Sequence, residues 1–247
     1  MTSEQPPETG QHEAIQSYGD KLYRQVPPGY KDNFHIYHRH YRECFTDEGK
    51  NLIYIYILKN ASSSTRKYLP CKPNGHPIHA DYERRFDAPQ FHKMCIWRNP
   101  ADRLVSSYME LRKLRHDFPS DRTLELGYLS YSSVEESFER FLDSIDDNLY
   151  DPHLFPQVVS LYDKGLVVED VDLLLFDTLG PDLKRYNREH TLGWDLSQAF
   201  HANAAPSEDK NRLKNLLRTT SHLSQQVRDL YPEDTEIYNR LKKEKLG

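Results

Sequence analysis

The fold is set by residues 52–65, which read LIYIYILKNASSST. The first seven are apolar and rich in β-branched and aromatic side chains, and so short a run is typical of a strand covered on both faces. Lys59 then begins a polar segment that reaches Thr65, and residues 66–69 precede Pro70. The stretch therefore predicts a buried strand, a tight loop and the start of a short helix.

The same order of elements recurs further along the chain. Residues 93–97 (KMCIW) form a second apolar run, and after it apolar side chains recur at helical spacing over residues 104–111. Residues 171–176 (VDLLLF) predict a third strand, with Asp177 or Thr178 placed to cap the next helix. Strands that alternate with helices predict an α/β fold with a central parallel sheet.

Further helices are marked by their starting residues. Ser132 and Ser133 each precede a glutamate by three residues, which predicts a capping box for an amphipathic helix over residues 134–145. Ser207 begins a long C-terminal helical pattern, and a proline predicts a final helix over residues 232–241.

The composition suits one large folded unit. The chain has 247 residues, of which 37% are hydrophobic and 12% aromatic. We expect a mobile tail over residues 1–30 and a single domain over residues 31–247. No apolar run approaches the roughly 18 residues of a membrane-spanning helix, the N-terminus lacks the pattern of a secretory signal, and three widely spaced cysteines suggest neither disulfides nor zinc. We therefore expect a cytoplasmic protein without membrane contact, whose oligomeric state stays open.

Charge is distributed unevenly along the chain. The formal net charge is −5, yet the segment from Lys59 to Arg115 contains twelve Lys and Arg against five Asp and Glu, about +7, which leaves about −12 for the remainder. The overall charge argues against a nucleic-acid partner, and the basic segment favours a smaller anion. Part of that segment, Arg112 to Arg115, fits a solvated helix face equally well.

The loop after the first strand has the composition of a phosphate site. Lys59 and the four hydroxyl residues 62–65 come where backbone N–H groups of a loop and a helix start converge. The loop lacks the glycines of a Walker A motif, which disfavours an ordinary site for ATP and magnesium. Taken alone, it also fits a serine-rich surface loop that caps a helix.

A second set of anion-binding side chains follows the second strand. Arg98 offers a planar fork of donors at the end of that strand, and Ser106 lies two turns into the next helix, so both could bind one phosphate. A salt bridge at the end of the sheet is the alternative for Arg98. We expect Arg103 to be structural and paired with a carboxylate.

Together these segments resemble the sulfotransferases, particularly the membrane-associated carbohydrate sulfotransferase group and its soluble bacterial relatives. Residues 59–65 (KNASSST) are similar to the Lys-x-Ala-Ser-(Ser/Thr)-Ser loop that holds the 5′-phosphosulfate of 3′-phosphoadenosine 5′-phosphosulfate (PAPS). Residues 98–108 (RNPADRLVSSY) resemble the family's Arg-(Asp/Asn)-Pro motif, in which the positions of Arg98 and Ser106 bind the 3′-phosphate. The resemblance covers roughly residues 50 to 185.

The resemblance implies a P-loop-like three-layer sandwich with a central parallel sheet flanked by helices. It also implies a PAPS-dependent sulfotransferase that moves a sulfuryl group by in-line displacement to a hydroxyl of a sugar or small-molecule acceptor, with no metal expected. Lys59 is the implied catalytic cation, which neutralises charge on the leaving nucleotide. The implied donor-binding residues are Lys59, Ala61, Ser62, Ser63, Ser64, Thr65, Arg98 and Ser106.

A general base must accept the proton of the acceptor hydroxyl, and histidine suits that role near neutral pH. The segment His79-Ala80-Asp81-Tyr82 resembles a catalytic His-x-x-Tyr of some glycan sulfotransferases, which implies His79 as the base. His76 and Glu83 are alternatives. His153 resembles a position near the family's acceptor pocket, so His76 and His153 are also possible acceptor contacts, although a packed loop histidine is the simpler explanation for His153.

The acceptor and two rival functions stay open at this stage. Golgi members of the resembling group carry a membrane anchor that this sequence lacks, so a small hydroxylated molecule is as reasonable an acceptor as a glycan. A P-loop kinase that uses ATP is the first rival, and the missing Walker A glycines count against it. A non-catalytic nucleotide-binding module is the second, and it would bind nucleotide without consuming it.

Overall fold

The structure is a computed structural model, and five strands lie within the part of the chain it describes. That part comprises residues 44–61, 65, 69, 72–73, 91–117, 133–145, 153–162, 168–196 and 207–246. The strands are β1 (Cys44–Asp47), β2 (Leu52–Ile55), β3 (Lys72–Pro73), β4 (His92–Trp97) and β5 (Asp172–Leu175). The predicted mobile tail, residues 1–30, lies outside the described residues.

The strands form one mixed sheet in the order β3-β1-β2-β4-β5. The pairs β2–β4 and β4–β5 are parallel, with Ile55 beside Cys95 and Cys95 beside Leu173. The predicted parallel core is therefore confirmed as three strands. Two short strands, β1 and β3, extend it in antiparallel pairing, which the sequence reading did not predict.

Seven α-helices lie within the described residues. They are α1 (Pro100–Asp117), α2 (Val134–Asp143), α3 (Val159–Tyr162), α4 (Leu179–Glu189), α5 (Glu208–Thr219), α6 (Ser221–Leu230) and α7 (Pro232–Leu246). Short 3-10 turns occupy residues 48–50, 168–170 and 176–178. None of the helices in these ranges combines the length and apolarity needed to cross a membrane.

Two of the predicted helix caps are confirmed. The Ser133 hydroxyl accepts a hydrogen bond from the Glu136 N–H, and the Ser207 hydroxyl accepts one from the Lys210 N–H. The prediction that Asp177 or Thr178 caps the next helix is confirmed in position for Thr178, but not in its hydrogen bond. Thr178 occupies the cap position of α4, but its hydroxyl donates to the Asp182 carboxylate instead of accepting from a backbone N–H.

The predicted element bounds are close to the observed ones. β2 ends at Ile55, although the chain stays buried through Ile57. The final helix runs five residues beyond the predicted 241. The pattern that begins at Ser207 divides into α5 and α6 at Thr220, whose extended backbone interrupts the helix.

The parallel strands are covered on both faces, as their continuous apolarity predicts. On one face Ile53, Ile55, Cys95 and Trp97 pack with side chains of α7 and α3. On the other, Leu52, Tyr54, Met94 and Ile96 pack with side chains of α4 and residues 192–196. The alternation follows from the two-residue period of a strand. The result is an α/β fold with a small three-stranded parallel sheet flanked by helices.

A separate helical cluster lies beside the sheet. Its core is formed by α1, α2, α5 and α6, where Tyr108 packs edge-on against Phe138 with 5.1 Å between ring centroids. This cluster fixes the position of α1, which begins at the end of β4. The first turns of α1 are thereby held beside the ends of the parallel strands.

Candidate functional site

The sequence-predicted residues that the structure describes gather at the carboxyl ends of the parallel strands. Lys59 follows β2, Arg98 follows β4 and Phe176 follows β5. In open α/β sheets this edge is where ligands bind, because loops and helix starts converge there. The two motifs lie together, since Arg98 Nη1 donates to the Lys59 carbonyl oxygen at 2.6 Å.

The loop after β2 has an unusual backbone. Lys59 and Ala61 adopt positive φ angles of 67° and 59°. The left-handed conformation costs a residue with a Cβ atom about 1–2 kcal/mol. Beyond the loop, the Thr65 N–H donates to the Ala61 carbonyl and the Leu69 N–H to the Thr65 carbonyl, which is the hydrogen-bond spacing of a helix. The predicted step from strand through tight loop to helical turn matches these bonds.

Thr65 turns its side chain toward the core. It is 2% exposed, and its hydroxyl lies 3.3 Å from the Tyr54 hydroxyl and 3.2 Å from the Ala61 carbonyl oxygen. Thr65 therefore anchors the loop to β2, and donor binding by it stays a prediction. Ser62, Ser63 and Ser64 lie outside the described residues.

A fully buried amide, Gln157, joins the two site loops. Its Oε1 accepts from Asn60 Nδ2 at 2.6 Å and from the Arg98 N–H at 3.0 Å, and its Nε2 donates to the Arg98 carbonyl at 3.0 Å. Asn60 Nδ2 also donates to the Ile96 carbonyl at 2.7 Å. These bonds hold the loop after β2 against the end of β4.

The network continues into α7 through Asp234. This carboxylate is 1% exposed and accepts from the Gln157 N–H at 2.7 Å, the Val158 N–H at 3.0 Å and Gln157 Nε2 at 3.3 Å. Burial raises the pKa of Asp234, although these bonds and the nearby Arg103 charge favour its ionised form. The sequence analysis assigned no role to Gln157, although it ends a segment (151–157) included in the family resemblance, and Asp234 belongs to no motif.

Arg98 is a deeply buried cation of the site. It is 5% exposed, its guanidinium carbon lies 4.4 Å from the centroid of the Phe176 ring, and its Nε has no hydrogen-bond partner in the described part of the chain. Burial lowers the Arg98 pKa to about 10, and the positive charge of Arg103 acts in the same direction. A buried, charged donor without a partner is the kind of group that an anionic ligand satisfies.

The Lys59 ammonium lies 3.4 Å from Glu110 Oε2 on α1. Burial lowers the Lys59 pKa, the Glu110 carboxylate raises it, and the charges of Arg98 and Arg103 lower it further. Lys59 and Arg98 thus approach each other at the sheet edge, and among the described residues one carboxylate, that of Glu110, lies beside the lysine. Such an arrangement favours an added anion.

Arg103 has a structural role, as the sequence predicted, although the bonds described here go to backbone carbonyls and its pairing with a carboxylate stays a prediction. It is 3% exposed, its Nε donates to the Leu58 carbonyl at 3.1 Å, and its Nη1 donates to the Phe155 carbonyl at 2.7 Å. The side chain thereby ties α1 to the loop after β2 and to the segment that carries Gln157.

Lys210 on α5 also belongs to the site, although nothing in the sequence pointed to it. Two salt bridges, Asp102–Lys214 at 2.8 Å and Arg112–Asp209 at 3.5 Å, set α5 antiparallel to α1. Lys210 is one turn before Lys214 and Ser106 is one turn after Asp102, so both lie at the same level of the helix pair. More than 100 residues separate Lys210 from the second motif.

The Lys210 ammonium shares its surroundings with the two predicted cations. Burial lowers its pKa to about 8, and the charges of Arg98, Lys214 and Lys59 act in the same direction, partly offset by Asp102. Ser106 is half-buried on the α1 surface. The site therefore combines three neighbouring cations with a serine hydroxyl, which suits a phosphate or sulfate group.

The remaining predicted residues are placed as follows. His79 and His76 lie outside the described residues, so their roles stay predictions. The His153 carbonyl accepts from the Ser107 hydroxyl at 2.7 Å, which holds this segment beside α1. Across the described ranges no three His, Cys, Asp or Glu side chains come together in a way that could hold a metal ion.

No protein-family model, curated protein or solved structure matches this chain.

Proposed function

We propose that this protein is a PAPS-dependent sulfotransferase, which transfers a sulfuryl group to a hydroxyl of a small-molecule or sugar acceptor. The observation that carries the proposal is the approach of the Lys59 loop and Arg98 at the carboxyl ends of β2 and β4. It is supported by the agreement between this placement and the two motifs that resemble the family. The proposal also includes the fold, since it assigns the α/β sheet and its helices to a P-loop-like sandwich.

The proposed donor site has two parts. Lys59, Ala61 and the hydroxyl residues 62–65 bind the 5′-phosphosulfate, and Lys59 neutralises charge that develops on the leaving nucleotide oxygen. Arg98 and Ser106 bind the 3′-phosphate, and we add Lys210 to this group because it lies level with Ser106 and near Arg98.

The proposed reaction is an in-line displacement at sulfur. The acceptor oxygen forms the new S–O bond as the bond to the bridging phosphate oxygen breaks, which leaves 3′-phosphoadenosine 5′-phosphate (PAP). We propose His79 as the base that takes the acceptor proton, with His76 as the alternative. Turnover of the His79→Ala and His76→Ala variants at saturating acceptor separates the two.

The first test is nucleotide binding, which requires no acceptor. Thermal unfolding is measured with PAP, with adenosine 5′-phosphate and with ATP and magnesium. At about 100 times its dissociation constant a ligand adds roughly 2.7 kcal/mol to the free energy of unfolding. For a chain of this size this raises the thermal midpoint by about 5–10 °C. We expect this rise with PAP and a much smaller one with the other two.

Ser106→Ala is the matched variant for the 3′-phosphate. It should reduce the difference between PAP and adenosine 5′-phosphate, whereas Ser221→Ala, an exposed serine at the start of α6, should leave that difference unchanged. A rise with ATP and magnesium alone would favour a kinase. PAP binding without transfer to any hydroxyl compound would favour a non-catalytic module, and no binding of PAP would overturn the proposal.

A further inference from the structure

A cavity of about 560 Å³ lies among the first turn of α1, α5, α6 and α7. Small-molecule pockets have volumes of about 300–1,000 Å³, so this one has room for a metabolite. We call it the basic cavity.

The basic cavity is separate from the proposed donor site. Arg98 lies over Phe176, which packs toward the α4 face of the sheet. The next residue of each loop, Asn99 and Asp177, lines the basic cavity instead, and Asp177 accepts a hydrogen bond from the Tyr238 hydroxyl of α7 at 2.6 Å. The side chains of successive residues thus lie on opposite faces of the sheet, because side chains alternate between the two faces along an extended chain.

The charge of the basic cavity is positive. Four cationic side chains, Lys214, Arg218, Arg228 and Lys242, line it together with two carboxylates, Asp102 and Asp177. Asp102 is paired with Lys214, and Asp177 accepts the Tyr238 hydroxyl.

Among the residues that the structure describes, no carboxylate pairs with the other three cations, Arg218, Arg228 and Lys242. Arg228 donates to the neutral Gln225 Oε1 at 2.7 and 3.2 Å. The Lys242 ammonium lies 6.0 Å from the centroid of the Tyr238 ring. Within the described ranges neither Arg218 nor Lys242 forms an ion pair.

Part of the cavity wall beside these cations is apolar, and Ser224, Thr235 and Asn239 add polar groups to it. Pro100, Leu217, Val227 and the ring of Tyr238 are buried and line it. The N–H groups of Ala101 and Asp102 at the start of α1 already donate to Asn99 Oδ1, so a negative group would be met by the side-chain cations. An apolar patch beside these cations matches a molecule with an apolar body and an acidic group.

We infer that the basic cavity binds a small organic anion, with its apolar body on Leu217 and Val227 and its acidic group between Arg218, Arg228 and Lys242. This site goes beyond the proposed sulfuryl transfer and does not depend on it.

The test uses 8-anilinonaphthalene-1-sulfonate, an aromatic sulfonate whose fluorescence rises in an apolar site, titrated into the full chain. The uncharged N-phenyl-1-naphthylamine is the matched probe. The cavity variant carries Arg218→Gln, Arg228→Gln and Lys242→Gln. A control variant carries Arg188→Gln, Arg240→Gln and Lys243→Gln, which are exposed, lie outside the cavity and change the net charge equally.

We expect the cavity variant to bind the sulfonate at least about tenfold more weakly than the wild-type chain, and the control variant to stay within about twofold. Both variants should keep the wild-type thermal midpoint within about 2 °C, so that any loss of binding is not a loss of fold. The inference would be overturned if the two variants bound the sulfonate equally well, or if the wild-type chain bound the uncharged probe as tightly as the sulfonate. It would also be overturned if the wild-type chain did not bind the sulfonate at millimolar concentration.

A competition experiment separates this inference from the proposed function. Saturating PAP should leave sulfonate binding unchanged, and displacement of the probe by PAP would overturn a separate cavity site. A chain that fails to bind PAP but binds the sulfonate in the way described would overturn the proposed function alone.

Discussion

The polar side chains at the two ends of the parallel strands differ in their exposure to water. At the amino ends, His92 of β4 lies beside His190 with 4.1 Å between ring centroids, and His190 Nε2 is 3.9 Å from Asp172 Oδ2 of β5. The Tyr186 hydroxyl donates to the same carboxylate at 3.2 Å. The Asp172 side chain is 53% exposed, so water solvates this cluster.

At the carboxyl ends the polar groups are withdrawn from water. Asn60, Arg98, Gln157 and Asp234 are at most 5% exposed and depend on one another for hydrogen bonds. Here burial lowers the pKa of the cations, while at the amino ends the shared Asp172 carboxylate is open to water. Groups with perturbed pKa values in such a place mark a functional site more often than a solvated surface does. The comparison teaches that burial at the carboxyl ends, and not polarity, identifies the site.

Lys59→Ala should have the largest effect at the carboxyl ends. Loss of a charge that stabilises the leaving oxygen should reduce turnover by about 10²–10³-fold, the range for a single oxyanion donor. The fold should persist, because alanine keeps the Cβ atom and the same backbone preference at φ 67°. PAP release from PAPS, measured with the best acceptor of a hydroxyl-compound screen, checks this prediction.

Lys50→Ala is the control for that measurement, because Lys50 is exposed just before β2, at the opposite end of the sheet. It should leave turnover within about twofold. Wild-type turnover in Lys59→Ala would contradict the role proposed for the lysine.

Gln157→Leu should have the next largest effect. It removes hydrogen bonds to the Asn60 amide, to both backbone groups of Arg98 and to Asp234, all of them buried. Unsatisfied buried polar groups cost about 1–3 kcal/mol each. Since the loops will partly relax, we expect the free energy of unfolding in urea to fall by about 2–4 kcal/mol.

Gln226→Leu serves as the control. Gln226 Nε2 makes one hydrogen bond, to the Leu142 carbonyl at 3.0 Å, from a partly buried position. Loss of this hydrogen bond should lower the free energy of unfolding by about 0.5–1.5 kcal/mol. Equal losses in the two variants would mean that the network at the carboxyl ends has no special importance.

Lys210→Met should weaken PAP binding by about tenfold at pH 7, since hydrogen bonds to charged groups contribute roughly 1.5–3 kcal/mol. Because the Lys210 pKa is about 8 in the free protein, wild-type affinity should fall as pH rises through 8, when the ammonium loses its proton. The affinity of Lys210→Met for PAP should therefore decrease less than that of the wild-type chain between pH 7 and 9. Calorimetric titrations at pH 7 and 9 measure both effects, with the exposed Lys184→Met as control.

The same lysine should make stability depend on pH in the opposite direction. Its pKa is about 8 in the folded chain and 10.5 as an ordinary lysine, so between these values the unfolded chain binds more protons. The free energy of unfolding contributed by Lys210 therefore increases with pH over this window. Urea unfolding of wild type and Lys210→Met at pH 7.5 and 9.5 should show a smaller increase in the variant, and an equal increase would contradict the assignment.

His190→Gln tests the amino ends and should have the smallest effect. The imidazole is partly exposed, and its ion-pair distance of 3.9 Å to Asp172 is long. Exposed ion pairs contribute roughly 0–1 kcal/mol to stability, so we expect the free energy of unfolding to fall by at most about 0.5 kcal/mol. A loss above about 1.5 kcal/mol would show that the amino ends are as interdependent as the carboxyl ends.

The sequence predicted the elements whose signal is local. The apolar runs at 52–58, 93–97 and 171–176 correspond to β2, β4 and β5, because buried parallel strands require continuous apolarity. β1 and β3 went unpredicted, since four and two residues in antiparallel pairing carry too little pattern. The P-loop-like sandwich rests on the resemblance and stays a proposal.

Of the candidate site, the sequence predicted the part that lies next to strands. Lys59 and Arg98 follow apolar runs, and the ends of parallel strands meet at one edge of a sheet, so their proximity could be inferred. Gln157, Asp234 and Lys210 come from distant segments whose positions depend on how α1, α5 and α7 pack. Single polar residues in such segments have no periodicity that distinguishes them from surface residues.

The burial of Asn60 has a consequence for covalent modification. Asn60-Ala61-Ser62 is an acceptor sequence for N-linked glycosylation, which requires access to Asn60 Nδ2. In the folded chain this nitrogen donates to Ile96 and Gln157, and the residue is 0% exposed. Glycan attachment and the folded site therefore exclude each other, so a chain glycosylated at Asn60 during synthesis would be unable to bring its two loops together.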